Sequence, residues 1–452
     1  MHQKKGSFGC LFLRGCVTRY AYNSANASAL IHAWCHRKHS MPGMTSTLNL
    51  NDLHNHELAV DRTTLEGKML NSLRIKNFRS LQDFHVPRLG RVNLIVGKNN
   101  SGKSTVLEAL RLYAGNANRE LLEQVANEHD EKSRIDSPER GQPQAALFEA
   151  FFTGRRFPVD SETSILIGEA ENHPDALRIR HGFLIETQQS VDVEGEQTIR
   201  TVRREIERSA ITNESDGSII QSLFVSKNEK FFRIWLDLTA QRIRTSFAEL
   251  SEVLPCSVVP TQFVTMEELA QGWDEIVLTE NETIVRQALN IISPEFQDLA
   301  FVRDLETPSS LRREPKRIGK VRLSSIDFPV PLNSMGDGMV RVLQLVLKAF
   351  PATGGILLID EFENGLHYTV QEKVWELLFD IAVKLDIQIF ATTHSWDCIE
   401  SFSKVAVAKS DVDGVLFRVG KSVRDSDRGR IIATVFDEDQ LYGITQADVE
   451  VR

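Results

Sequence analysis

The stretch "GKNNSGKS", Gly97 to Ser104, fits the pattern G-x-x-x-x-G-K-[ST]. Glycines at both ends let a loop curl until successive backbone N–H groups point inward, a cradle for phosphate oxygens. A helix that starts at its end would add the partial positive charge of its N-terminus. Lys103 is placed to neutralise the β- and γ-phosphates, and the Ser104 hydroxyl is placed to reach Mg2+. Gly97, Asn99, Asn100, Ser101, Gly102, Lys103, Ser104 and Thr105 are therefore the candidate ATP-binding residues.

Two further stretches carry compatible chemistry. In "GGILLIDEFENGLH" four apolar residues, Ile356 to Ile359, end in Asp360 and Glu361. Ligands of open α/β sheets gather at the carboxyl ends of strands, which is where these acids fall. Asp360 is the candidate metal residue beside Ser104, acting through the ion's water shell. Glu361 is the candidate base for an attacking water. In "IQIFATTHSWD" a second apolar run ends at Thr392, Thr393 and His394, and that histidine could donate a hydrogen bond to a γ-phosphate. Glu361, Lys103 and His394 are the expected catalytic set. Alone, adjacent acids or one histidine after a strand are commonly just a loop start; the ordered combination is what argues for a site.

The elements that must hold these residues are legible around them. "RVNLIV" precedes the glycine-rich loop as a short buried strand, and "STVLEALRLYAG" follows as a helix with Gly115 at its C-cap. "SLRIKNFRSLQDF" from Ser72 reads as a half-exposed strand entering a turn. Residues 116–145 read as helix then loop. From Ala145 to about Arg244, four strand-like segments separated by turn clusters imply antiparallel strands on an open sheet. Thr265 to Phe301 has helical periodicity with no sustained heptad, so no long coiled coil. The final third alternates buried strands with helices, which implies a mostly parallel sheet covered on both faces. The fold class expected is α/β.

"NSMGDGM" lies just before an apolar helix, between the first and second of these motifs. The opening "LRIKNFRSL", "GKNNSGKS", "MGDGM", "LLIDEFENGLH" and "ATTHS", in that order, resemble the stand-alone ATPases of the RecF/OLD group, over about residues 69–452. The resemblance implies a P-loop NTPase with an ABC-type head, an antiparallel β lobe and a helical insertion. It divides the chain into a basic extension (1–68), an N-terminal half of the head (69–155), an inserted β-rich and helical lobe (156–320) and a C-terminal half (321–452). It implies two heads meeting head-to-tail around ATP and Mg2+. Ser334, Gly336 and Gly338 would then contact the γ-phosphate held by the partner, and Asn364, Gly365 and Leu366 would form a loop across the interface. The signature departs from Leu-Ser-Gly-Gly-Gln. Gln142 and Gln144 precede the segment where the family's linking glutamine is expected, without a firm choice between them. No acidic nuclease domain follows His394.

Composition bounds the rest. The chain has 452 residues, 41% hydrophobic and 25% charged, with a net charge of −9, which argues against nonspecific coating of nucleic acid. The basic run "LRREPKRIGKVR", Leu311 to Arg322, could grip a phosphate backbone, but it has no interleaved aromatics and reads as a solvated loop; DNA is a possible partner only. No apolar window approaches the roughly 18 residues of a membrane span. Five cysteines without paired spacing suggest a reducing, cytoplasmic setting. Residues 1–50 hold six Lys/Arg and no Asp or Glu. That segment is compatible with a transit peptide; a disordered extension or an over-called start is the favoured account. His32, Cys35, His36 and His39 lack the C-x-x-C spacing of a zinc site. Three roles suit these features: an ATP hydrolase in DNA repair or phage defence, a nucleotide-gated module holding a separate effector, and, more weakly, a transporter cassette, for which the gap from Lys103 to Asp360 is too long.

Overall fold

The computed structural model describes residues 69–436, apart from 132–146, 161, 172, 194–195, 212–216, 237–252 and 304–316, together with residues 440 and 443. All of these fall in one compact unit, Thr63–Arg452. The extension 1–68, with its cysteine and histidine run, and Gln142 and Gln144 lie outside the described residues.

The strands in chain order are β1 (Leu73–Phe78), β2 (Leu81–Val86), β3 (Val92–Val96), β4 (Ser164–Gly168), β5 (Leu177–Val193), β6 (Glu196–Ile206), β7 (Ser218–Lys227), β8 (Lys230–Trp235), β9 (Cys256–Val259), β10 (Phe296–Arg303), β11 (Arg317–Leu323), β12 (Val330–Pro331), β13 (Ile356–Ile359), β14 (Gln388–Thr393), β15 (Gly414–Lys421) and β16 (Ile431–Phe436). The helices are α1 (Lys103–Ala114), α2 (Arg119–Glu128), α3 (Met266–Ile276), α4 (Glu282–Ile292), α5 (Asp337–Ala349), α6 (Tyr368–Lys384) and α7 (Trp396–Ala408).

A six-stranded sheet, order β16-β15-β3-β14-β13-β9, carries the site. Its strands are parallel except β16, which closes the edge antiparallel to β15. Every residue of β3, β13 and β14 is buried, as a sheet covered on both faces requires. Side chains alternate between two cores because the strand period is two. Leu357, Ile359, Ile389, Ala391 and Leu94 face one core; Ile356, Leu358, Phe390 and Ile95 face the other. Register brings the carboxyl ends of three strands together. Ile359 pairs with Ala391, Ala391 with Leu94, and Thr393 with Val96. The residues that follow β3, β13 and β14 therefore emerge side by side.

A seven-stranded antiparallel sheet, β2-β1-β4-β5-β7-β8 with β6 on β5, lies against α1 through the second core. The segment 156–320 is thus distributed rather than set apart. β4 to β8 extend the sheet begun by β1 and β2, β9 enters the parallel sheet, and α3 and α4 join the core around α5. Ten of the thirteen residues of α5 are buried, because it is covered by both the sheet and these helices.

Two local expectations change and a third holds. The helical reading of Thr265–Phe301 holds for α3 and α4, but Phe296–Arg303 is strand β10, paired antiparallel to β11. Half of the basic run is β11 instead of loop, and Arg317 forms an ion pair with Asp274. Gly115 caps α1 with φ −84, while the left-handed turn is taken by Asn116 and Ala117. Among the described residues no helix is long and apolar enough to cross a membrane.

Candidate functional site: a phosphate cradle at the strand ends

The loop after β3 is wound by its glycines. Gly97 has φ 153 and Gly102 φ 104, with Asn100 at φ 59 between them. A Cβ on Gly97 would lie 2.3 Å from the Val419 carbonyl oxygen, so only glycine fits there. The helix α1 begins at Lys103, with the Val106 N–H donating to the Gly102 carbonyl at 3.1 Å. Lys103 is buried, and its Nζ donates to the carbonyls of Gly97 (2.8 Å) and Lys98 (3.1 Å). Burial holds its pKa below the usual lysine value, opposed by the charges of Asp360, Glu361 and Glu363. A phosphate would displace two carbonyl acceptors with a stronger, charged one.

Asp360 leaves the end of β13 facing this loop. Its Oδ1 accepts from Thr392 Oγ1 (2.7 Å) and Ser104 Oγ (3.3 Å), and its Oδ2 from Thr261 Oγ1 (3.0 Å). A hydroxyl and a carboxylate thus converge at the first turn of α1, a hard-oxygen set of the kind Mg2+ prefers.

Glu361 adopts a left-handed conformation, φ 48, which costs a non-glycine residue about 1–3 kcal/mol. Two neighbours hold it there. Its N–H donates to Thr392 Oγ1 at 2.9 Å. Its carbonyl accepts from Arg341 Nη2 at 2.7 Å. Arg341 is fully buried in the middle of α5 and also donates to the carbonyls of Asp360 (2.9 Å) and Pro260 (2.7 Å). Burial pushes its pKa down to about 10, so the guanidinium stays charged at neutral pH.

His394 follows β14. Its N–H and that of Ser395 donate to Glu363 Oε1, at 3.0 and 3.1 Å. Its ring Nδ1 lies 3.1 Å from the same oxygen and 3.8 Å from Glu361 Oε1. The glycine-rich loop, Ser80, Glu108, His129, Asp360 and Glu361 line one cleft of about 610 Å3.

The structure therefore brings Asn99 to Thr105, Asp360 and Glu361 together in the cleft; Gly97 and His394 are not among its lining residues, and His394 lies beside it through Glu361 and Glu363. Ser334, Gly336 and Gly338 are not among the residues lining the cleft. They sit at the entrance to α5, with Ser334 and Gly336 exposed and Gly336 at φ 86. Asn364 donates to the Thr261 carbonyl at 2.5 Å, and Gly365 has φ 75. A Cβ on Gly338 would lie 3.4 Å from the Gly365 carbonyl oxygen, so the two expected interface segments touch.

Known proteins match both halves of this arrangement. Residues 69–216 match a family described as an AAA ATPase domain, and residues 281–397 one described as an AAA domain, putative AbiEii toxin, Type IV TA system. An ATP/GTP phosphatase of Helicobacter pylori is 24% identical over 363 residues, covering 75% of this chain and 88% of that protein. An OLD nuclease of Thermus scotoductus is 23% identical over 384 residues, 80% of this chain and 66% of that protein. The chain carries AAA ATPase domains and resembles the RecF/OLD group. Solved SMC heads are looser likenesses of this ATPase; the Thermotoga maritima head has a TM-score of 0.36 and 13% identity, over 82% of this chain and 100% of that one.

Sequence reasoning about this ATPase missed Arg341, Thr261, Glu363 and the Ser80–Glu108–His129 side of the cleft. Arg341 did leave a trace, as a charge inside the apolar run "MVRVLQLVL".

Proposed function

We propose that this ATPase hydrolyses ATP with Mg2+ between two heads arranged head-to-tail, in DNA repair or phage defence. The observation that carries the chemistry is the meeting of Ser104 and Asp360 at the start of α1, with Glu361 next along the chain. The loop amides and Lys103 bind the β- and γ-phosphates. Ser104 and Asp360 would hold Mg2+, which when bound neutralises charge on those phosphates. Glu361 takes a proton from water as the water oxygen bonds to the γ-phosphorus and the bond to the bridging oxygen of the β-phosphate breaks. The products are ADP and phosphate. His394, tethered through Glu363, orients toward the γ-phosphate side beside Glu361.

The position of Ser334, Gly336 and Gly338 away from their own cleft supports their action on a partner's nucleotide. Contact of Gly338 with Gly365 supports a shared interface with Asn364 and Gly365. The Helicobacter relative supports GTP as a second substrate. A second use of the same site is to hold and release an effector on another chain, with hydrolysis as the timer. The test of the chemistry is Glu361→Gln. Turnover should fall by about 10²-fold or more while ATP binding persists; unchanged turnover removes Glu361 as the base.

A further inference from the structure

We propose that His129, anchored by Glu108, grips the nucleoside end of the bound nucleotide. This rests on the reading of the cleft as the ATP site. The lining of the cleft divides by chemistry. Asn99 to Thr105, Asp360 and Glu361 meet the phosphates and the metal, which leaves Ser80, Glu108 and His129. Glu108 lies four residues beyond Ser104, one turn or about 6 Å farther along α1.

Glu108 is not itself free to read a base. Its Oε2 is 2.7 Å from Arg79 Nε, and its Oε1 is 2.7 Å from His129 Nε2. Arg79 is locked in turn by a bidentate pair with the buried Glu131, at 2.8 and 3.0 Å, which Arg155 also reaches. This network fixes the imidazole by one nitrogen. His129 is exposed and lines the cleft, so its ring stays accessible to a ligand. Among the described residues no Phe, Tyr or Trp lines the cleft, and His129 supplies a flat ring there. The hydrogen bond that His129 donates to Glu108 also holds the His129 pKa above the usual value, which favours a charged ring over an electron-rich base. With Glu108 committed to its two partners, no carboxylate among the described lining residues at this end is left to discriminate exocyclic groups. ATP and GTP should therefore be accepted with similar affinity.

The experiment uses the full chain and compares ATP with inorganic tripolyphosphate, which carries the phosphates and lacks the nucleoside. His129→Ala should raise the KM for ATP and GTP by about tenfold, with kcat within about twofold. The inhibition constant of tripolyphosphate should not change. His129→Phe, which restores a flat ring, should recover most of the ATP affinity. An unchanged KM for ATP overturns the proposal. So does an equal weakening of tripolyphosphate, which would place His129 on the phosphates. A wild-type protein that turns over no ATP and binds no tripolyphosphate would instead overturn the assignment of the cleft.

Discussion

Two segments of the site, both expected to touch the γ-phosphate, are built in opposite ways. Asp360 to Glu363 is held on all sides by its own chain. Thr261 and Thr392 fix the Asp360 carboxylate, while Arg341 and Thr392 fix the Glu361 backbone. Ser334 to Gly338 has little to hold it. Ser334 is exposed with no hydrogen bond from its side chain among the described residues, and a Cβ on Gly336 would meet nothing within 4 Å. Carboxylate and backbone groups each held by hydrogen bonds from buried neighbours fix one geometry in advance. An exposed turn at a helix entrance fixes little until something docks on it. The difference supports the proposal that the acid segment is finished in one chain and the signature segment by a second head.

The strongest way to break this comparison is Ser334→Arg. The long charged side chain has room in an isolated head, so folding and ATP binding should be unaffected. Turnover should fall by about 10²-fold, because the second head cannot approach to catalytic distance. Sedimentation with ATP should show the wild type as a dimer and the variant as a monomer. Full turnover by a strict monomer would make Ser334–Gly338 an ordinary turn.

Arg341→Met probes the opposite pole. Methionine fills the space but leaves the carbonyls of Pro260, Asp360 and Glu361 without their donor. The expected loss is about 2–4 kcal/mol, read as a lower urea midpoint at unchanged slope. Turnover should fall as well, because Glu361 is released from its left-handed conformation. A variant as stable as wild type would show that Arg341 is not what holds the acid segment.

The same contrast explains what could be read from sequence. The phosphate loop is contiguous and its physics is local, so Gly97 to Thr105 were legible at once. Asp360, Glu361 and His394 were legible because each ends an apolar run. Their supports come from far along the chain: Thr261 is 99 residues from Asp360, and Thr392 is 32 residues away. No spacing rule encodes such contacts. β9 has only four residues between two prolines, too short to show a period. Phe296–Arg303 follows two real helices, and its pairing with β11 decides its form. His129 lies in a polar stretch where nothing local sets it apart; only the fold brings it to Glu108.

The finest test applies one substitution at both poles. Gly365→Ala must accept a left-handed conformation and a Cβ 2.9 Å from the Phe263 ring. Gly336→Ala meets open space, so it pays backbone strain alone, about 1–3 kcal/mol for φ 86 and ψ 164. Gly365→Ala should therefore lower the melting temperature more than Gly336→Ala, by a further few degrees. Turnover per folded molecule should fall in both variants, because both glycines lie on the face proposed to meet a second head. If Gly336→Ala proves the more destabilising of the two, the signature segment is held by its own chain after all, and the contrast between the two poles fails.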